Sequence, residues 1–436
     1  MTRPSIAVVG AGIAGLSAAW LLRDSHDVTL FEAEPRAGGH ADTQSLSLDG
    51  KPLDVDTGFI VFNDRNYPNL VGLFDTLGIA TENSEMSFGV SIAGGALEYG
   101  GGDMRQLFAQ HRNLVRPRFW SMIRDLLRFY REAPRLLDEP SDTGMSLGDW
   151  LTANTYGDAF INDHLLPMGA AIWSASVEGM RAFPARHFAR FFKNHGLLQL
   201  TDRPQWRTVT GGSRRYVAAV TAALPALRLA TPITALRRTA TGILLRDHTG
   251  AESAFDQAIL ACHADESLAL LADATPEETA LLGAVPFQDN VAVLHTDAAL
   301  MPRRRAVWSA WNYLSDGAAD RAARISITYW MNRLQNLKNE QPILVSLNPL
   351  HPPDPAKILR TRTYRHPQFD AAAMRAQAAL PALQGQNRLF FAGAWTGWGF
   401  HEDGIASAVR IAALLGVTPP WASKTNRAAT TTWVAA

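Results

Sequence analysis

The residues of this 436-residue chain with the plainest chemical content lie at its start: Gly10-Ala11-Gly12-Ile13-Ala14-Gly15, followed by Glu32. Glycines at that spacing, set between a strand and a helix, bring backbone N–H groups up to a pyrophosphate. A carboxylate roughly twenty residues further on accepts hydrogen bonds from a ribose diol. The chain therefore has the means to hold a dinucleotide, and little sign of other chemistry. Cys262 is the only cysteine, which excludes an intrachain disulfide and a multi-cysteine zinc or iron–sulfur site. No G-x-S-x-G elbow, H-E-x-x-H or C-x-x-C occurs, and no metal site is expected.

Three elements must position those residues. Ser5–Val9 reads as a buried strand, Leu16–Arg23 as a helix, and Asp27–Phe31 as the next strand, ending at Glu32. Gly10 permits the tight turn, Gly12 the close approach to phosphate, and Gly15 the close packing of helix on strand. Residues 6–22 are apolar enough to pass for a signal-peptide core, but the glycine spacing and the lack of a small-residue cleavage site argue against that. No uninterrupted apolar run reaches the roughly 18 residues of a spanning helix. Hydrophobic residues at 47% and charged residues at 19% argue for a globular chain, and its length for two or more lobes. Forty-one Lys+Arg balance forty-one Asp+Glu, so net charge gives no reason to expect a nucleic-acid partner. With a lone cysteine, the cytoplasm is the expected compartment.

The glycine motif does not separate NAD from FAD; the residues after it do. Glu32-Ala33-Glu34-Pro35-Arg36-Ala37-Gly38-Gly39-His40 resembles the extended fingerprint of FAD enzymes of the amine oxidase and phytoene desaturase superfamily, with His40 where Arg is usual. Asp54-Val55-Asp56-Thr57-Gly58-Phe59 resembles that superfamily's D-x-G segment beneath the flavin. At the far end Arg388–Gly393 reads as a strand, and His401-Glu402-Asp403-Gly404 leads into a helix, Ile405–Leu415, whose start faces the flavin pyrimidine in the superfamily. In the middle, Val209-Thr210-Gly211-Gly212-Ser213 precedes a helix, and Leu227–Leu236 resembles the strand that pairs with adenine near Ile233. The resemblance implies non-covalent FAD. It assigns the contacts to Gly10, Ala11, Gly12, Ile13, Ala14, Gly15, Glu32, Ala33, Arg36, Gly38, Gly39, His40, Thr57, Gly58, Phe59, Ile233, Gly393, Asp403, Gly404 and Ile405.

The implied fold is α/β: a Rossmann-like FAD-binding domain of the GR2 (amine oxidase) type, with a discontinuous α+β substrate domain. Residues 1–60, 205–290 and 385–417 form the first, residues 61–204 and 291–384 the second, and residues 418–436 a loose tail. Within the substrate domain, residues 103–137 read as helical, with Arg at 105, 112, 116, 118, 124, 128, 131 and 135 against three acids. Phe108, Phe119, Trp120, Phe129 and Tyr130 are interleaved, and Pro117 should divide the segment into two helices. Residues 181–200 repeat the mixture. Two readings stand. In one the basic, aromatic face lies on an anionic membrane surface, on the inner side. In the other it is the Arg-rich solvent face of a helix packed on the core.

A narrower resemblance concerns substrate. Gly38-Gly39-His40, residues 56–63 (DTGFIVFN), residues 168–174 (MGAAIWS) and residues 399–404 (GFHEDG) together resemble bacterial flavoproteins related to the N-terminal domain of plant cyclopropane fatty acid synthases, in which His40 is the expected residue. That kinship implies an FAD-dependent oxidoreductase. Its reaction would dehydrogenate an unsaturated or methylated fatty acyl chain of a phospholipid, by hydride transfer to flavin N5, as in furan or modified fatty acid synthesis. A lipid-methylating or cyclopropane-synthase-like enzyme would be its partner. His401 and Glu402, beside the loop that closes over the flavin, are the catalytic candidates for proton transfer. The structural alternatives are a helix cap for Glu402 and a backbone hydrogen bond for His401. Two other functions stay open: a flavin oxidase for a small amine, and a non-catalytic FAD-binding partner of a lipid-modifying enzyme. The amine reading is weakened because amine oxidases of the superfamily commonly use a lysine near the flavin. Here the second half of the substrate domain offers only Lys338 and Lys357, outside strand-like runs. Cys262, within QAILACHAD, reads as a buried hydrophobe of a strand.

Overall fold

The computed structural model describes residues 3–138, 144–173, 175–199, 201–317 and 325–422. Ser174, at the end of the MGAAIWS run, and residues 423–436 of the expected tail lie outside the described residues.

The short apolar runs SIAVV and DVTLF form strands β1 (Ser5–Val9) and β2 (Asp27–Phe31), joined by helix α1 (Ile13–Leu22). Strands β3 (Leu227–Arg228), β4 (Gln257–Leu260) and β5 (Leu389–Phe391) complete a parallel sheet in the order β3-β2-β1-β4-β5. The chain thus returns to this sheet from distant stretches of sequence. A parallel sheet is covered on both faces, so its strands need not alternate: Ile6, Ala7 and Val8 are fully buried, and so are Ala258, Ile259 and Leu260. Helix α1 is buried along its whole length, as its all-apolar circumference requires. Four further helices matter below: α2 (Pro68–Leu77), α3 (Pro117–Glu132), α4 (Leu166–Trp173) and α5 (His401–Leu414).

The second sheet has seven strands, in the order 358–367, 287–295, 344–347, 325–330, 311–315, 88–92 and 97–100. All its pairs are antiparallel except 311–315 with 88–92. Helices α3 and α4 belong to an aromatic core beside it, built on Phe129, Phe160, Trp173, Phe188 and Phe192.

Local departures from expectation have local causes. Helix α1 begins at Ile13 and not Leu16, because Gly12 is extended and the helix starts directly after it. Leu227–Leu236 is two strands: β3 ends at Arg228, the backbone turns through Ala230 at φ +49°, and Ile233–Arg238 enters a separate antiparallel sheet with 243–247 and 252–255. Helix α5 begins at His401, four residues before Ile405, because the Asp403 carboxylate accepts from the Phe400 N–H at 2.9 Å. Pro117 does divide the Arg-rich segment, occupying the first turn of α3 where no N–H is needed. Before it lie a short helix, Met104–Leu107, and a 3₁₀ turn, His111–Val115. Phe119 and Phe129 point into the core, so of the aromatics expected on an outer face only Trp120 is exposed. Trp421, in the expected loose tail, packs on Trp20 and Gly72 and donates to Asn69 Oδ1 at 3.1 Å. Cys262 follows β4 rather than lying in it, half-buried.

Candidate functional site

The turn from β1 into the first residues of α1 has two glycines that the protein itself requires and one that it does not. Gly10 has φ +101°, and a Cβ there would sit 2.9 Å from the Ala261 carbonyl oxygen. A Cβ on Gly15 would lie 1.8 Å from the Gly10 carbonyl oxygen. At Gly12 a Cβ would meet nothing within 4 Å, so this backbone opens onto free space at the N-terminus of α1. Glu32 holds the loop: its carboxylate accepts from Ala11 N at 2.7 Å and from Glu34 N at 2.8 Å. A carboxylate has about four lone-pair positions, which leaves capacity for a diol.

The Gly38-Gly39 turn closes one side of that space. Gly38 N donates to the Ala11 carbonyl at 2.8 Å, and a Cβ on Gly39 would be 3.0 Å from Gly12 Cα. Arg36 donates to the carbonyls of Gly39 (2.7 Å) and Ala41 (3.1 Å), so it braces the turn. Ala33 is exposed beside Glu32. Ile233 opens its strand after a loop whose Thr231 N donates to the Glu32 carbonyl, which brings it to the Glu32 segment.

The segment 54–59 runs against His40: Phe59 N donates to the His40 carbonyl at 2.8 Å, and a Cβ on Gly58 would lie 2.0 Å from that oxygen. Thr57 Oγ1 is tied to Tyr364 Oη at 2.7 Å. Asp56 is buried, accepts from Ser213 N (3.0 Å), Ser213 Oγ (2.7 Å) and Gln335 Nε2 (2.9 Å), and so pins the Gly211–Ser213 turn; burial pushes its carboxyl up to about 6.

Helix α5 starts against α1, since a Cβ on Gly404 would lie 2.7 Å from Ile13 Cγ2. Ile405 is fully buried, and Gly393 N donates to Ser407 Oγ at 3.0 Å. Burial pushes Asp403 up to about 6, with Arg410 favouring its charged form. The first turns of α1 and α5 thus touch, and both present partial positive charge.

The two catalytic candidates lie in this first turn, not in a loop. The His401 ring stacks on Phe59 at 3.7 Å between centroids, with Nε2 at 3.0 Å from Tyr216 Oη. Burial lowers its pKa to about 3, so the ring is neutral. Glu402 accepts from Asn69 N (3.0 Å), Asn69 Nδ2 (2.7 Å) and Leu70 N (3.0 Å). It therefore caps the start of α2 rather than its own helix. Burial pushes its carboxyl up to about 8, while those N–H donors pull it back down.

His40 meets residues that no motif announces. Its ring lies 5.1 Å from Tyr364, 5.5 Å from His366 and 6.1 Å from His263 between centroids. Burial and the neighbouring imidazoles hold its pKa well below the usual value, and its buried Nε2 has no hydrogen-bond partner among the described residues. His366 Nδ1 bonds Asn290 Nδ2 at 2.9 Å, and Asn348 Nδ2 donates to Asn290 Oδ1 at 2.7 Å. Asn348 in turn lines a cavity of about 270 Å³ with Ala170 of α4, Ala175, Ser176, Gln288, Ile325, Ile327, Leu347, Pro349 and Leu350. His401 and Glu402 do not line it. Nothing in the sequence distinguishes His366, Asn290 or Asn348; antiparallel pairing of 287–295 with 358–367 and 344–347 assembles them.

These residues fit FAD. The open face of Gly12 admits a pyrophosphate, Glu32 retains acceptor capacity, and the orphaned His40 Nε2 awaits a partner. Among the described residues no cluster of His, Cys, Asp and Glu could hold a metal ion, and no helix is long and apolar enough to cross a membrane.

Comparison with known proteins agrees with this geometry. The pattern of flavin-containing amine oxidoreductases matches residues 13–415. Among solved structures, cyclohexylamine oxidase from Brevibacterium oxydans superposes with TM-score 0.68 at 16% identity, covering 95% of this chain and 100% of that one. The CLA-producing fatty acid isomerase from P. acnes gives 0.65 at 15% identity, covering 95% and 99%. Carotenoid phi-ring synthase of Chlorobaculum tepidum is 38% identical over 94 residues, and that of Streptomyces griseus 46% identical over 72. The matched stretches cover 21% and 16% of this chain, and 14% of each synthase. With the family pattern spanning nearly the whole chain and the cofactor cradle in place, the protein belongs to the flavin-containing amine oxidoreductase family and is an FAD-dependent oxidoreductase.

Proposed function

We propose that the protein dehydrogenates an unsaturated or methyl-branched fatty acyl chain of a phospholipid. The observation that carries this reading is the lining of the 270 Å³ cavity: Ala, Ile, Leu and Pro side chains with neutral Ser, Gln and Asn, and no charged or aromatic residue among those described. A cationic amine sheds water on entering such a lining, and needs a carboxylate or aromatic cage in return. An acyl chain needs only apolar walls and a few polar anchors. A fatty acid isomerase shares this fold, which puts an acyl substrate within its range. Kinship with the N-terminal domain of plant cyclopropane fatty acid synthases belongs to the same reading, with a lipid-methylating or cyclopropane-synthase-like enzyme supplying the modified chain.

FAD, when bound, supplies the two-electron acceptor for oxidation of a C–H bond. The chain's residues hold and orient it. Gly12 and the start of α1 receive the pyrophosphate, Glu32 the ribose, Ile233 the adenine, and His40 with the start of α5 the remainder. Non-covalent attachment belongs to the same reading, and it is supported by the single thiol, Cys262, which burial pushes up to about 12 and which makes a poor attachment point. His401 and Glu402 act as positioning residues. The first packs on Phe59 and bonds Tyr216, and the second ties α5 to α2.

The test is an anaerobic titration of the FAD-loaded protein with phospholipids carrying monounsaturated or methyl-branched chains, read at the flavin absorption band. Bleaching in proportion to lipid, with none from a panel of amines, is expected. Bleaching by amines alone would overturn the reading. A band that neither bleaches would also overturn it, in favour of a binding-partner role.

A further inference from the structure

We infer that residues 104–131 form a docking face for an anionic lipid bilayer. Half of the large apolar side chains exposed among the described residues lie between 104 and 127: Met104 (67% exposed), Leu114 (50%), Val115 (81%), Trp120 (48%) and Leu127 (43%). They come from consecutive elements that hold one another. Trp120 Nε1 donates to the Leu114 carbonyl at 2.9 Å, and its ring lies 5.7 Å from Phe108.

Along α3, Trp120, Arg124, Leu127 and Arg131 recur at spacings of four, three and four, and all are exposed. Phe119, Met122, Asp125 and Phe129 form the buried side. A helix that only covers a core needs the second stripe, with a polar outer face. Here the outer stripe is mixed, apolar and cationic in alternation.

Charge selects the occupant. Arg105, Arg112, Arg124 and Arg131 are exposed around the apolar tips. Arg118, Arg124 and Arg128 are paired with Asp163, Asp125 and Glu132, so Arg105, Arg112 and Arg131 carry the charge of this face that no carboxylate among the described residues offsets. Asp125 is buried, which leaves Asp103 as the exposed acid between 103 and 131. Apolar tips ringed by guanidinium groups match a surface that is anionic outside and hydrocarbon within. Trp120 and the arginine stems suit the boundary between the two.

This face lies outside the cofactor cradle and the cavity, and it stands whether or not the substrate is an acyl chain. The experiment is co-sedimentation of the FAD-loaded protein with phosphatidylcholine vesicles, with and without phosphatidylglycerol, at low and high salt. Binding to phosphatidylglycerol vesicles at low salt, lost at high salt, is expected. Each arginine near the surface contributes about a fivefold gain in partitioning, so R105Q/R112Q/R131Q should lower it on the order of a hundredfold. M104E/V115E, which alters only highly exposed side chains, should lower it too. Absence of wild-type binding at low salt would overturn the inference, and so would wild-type binding by either variant.

Discussion

Replacing Gly12 with alanine adds a methyl group that touches nothing in the protein. Gly12 sits at φ −73° and ψ −176°, an extended conformation that alanine adopts freely, and its Cβ would have no neighbour within 4 Å. Folding stability should therefore stay level or rise by about 0.5 kcal/mol, through the less flexible unfolded chain. The same methyl stands where backbone N–H groups must reach a phosphate. Losing two charge-assisted hydrogen bonds, each worth about 1.5 kcal/mol or more, weakens FAD binding by about 3 kcal/mol, or roughly a hundredfold in Kd. Gly15→Ala is the opposite control. Its Cβ would lie 1.8 Å from a backbone carbonyl oxygen, so α1 must shift off β1 at a cost of about 3 kcal/mol or more. The assay pairs thermal unfolding of the apoprotein with titration of FAD by flavin fluorescence. A Gly12→Ala protein that binds FAD as tightly as the wild type would refute the placement of the pyrophosphate.

Three further perturbations probe the frame around the cradle. Glu402→Ala leaves three N–H donors without their acceptor and should cost about 3 kcal/mol in urea unfolding, whereas Glu402→Gln, which keeps one acceptor oxygen, should cost less; equal losses would contradict the capping of α2. His401 is held near pKa 3 in the fold against 6.5 in the unfolded chain, so between those values the unfolded state binds the extra proton. Its contribution is complete above pH 6.5 and is lost as pH falls toward 3. His401→Phe should therefore flatten the acid side of the stability profile by about 1.4 kcal/mol per pH unit, and an unchanged slope would contradict it. Trp421→Ala empties the contact on Trp20 and Gly72 and should lower stability by about 2 kcal/mol, with an unchanged Tm as the contrary result.

What could be read from the sequence was local. Strand, glycine turn, helix, strand and acid follow one another over residues 5–32, and each part is dictated by neighbours in the chain, so β1, β2 and Glu32 fall where the spacing puts them, and α1 differs only in starting three residues early. The discontinuous return to the parallel sheet was legible only through resemblance, because β3, β4 and β5 are too short to announce their partners. Roles that depend on pairing across hundreds of residues were not legible. Glu402 looks like the cap of its own helix, yet it serves Asn69, 333 positions away. His366 and Asn290 are unremarkable in their strands and meet only because those strands pair. Trp421 sits in a polar, Pro-containing stretch, and only the groove at Gly72 gives it a place.

The central claim is removal of hydrogen from an acyl chain, and weighing the chain tests it most directly. The FAD-loaded protein would be incubated with a phospholipid bearing a monounsaturated or methyl-branched chain and an electron acceptor, and the released fatty acids measured by mass spectrometry. A chain lighter by two hydrogens, formed in proportion to the acceptor reduced, is the predicted result. An acyl chain of unchanged mass, under conditions where an amine is oxidised by the same preparation, would contradict it.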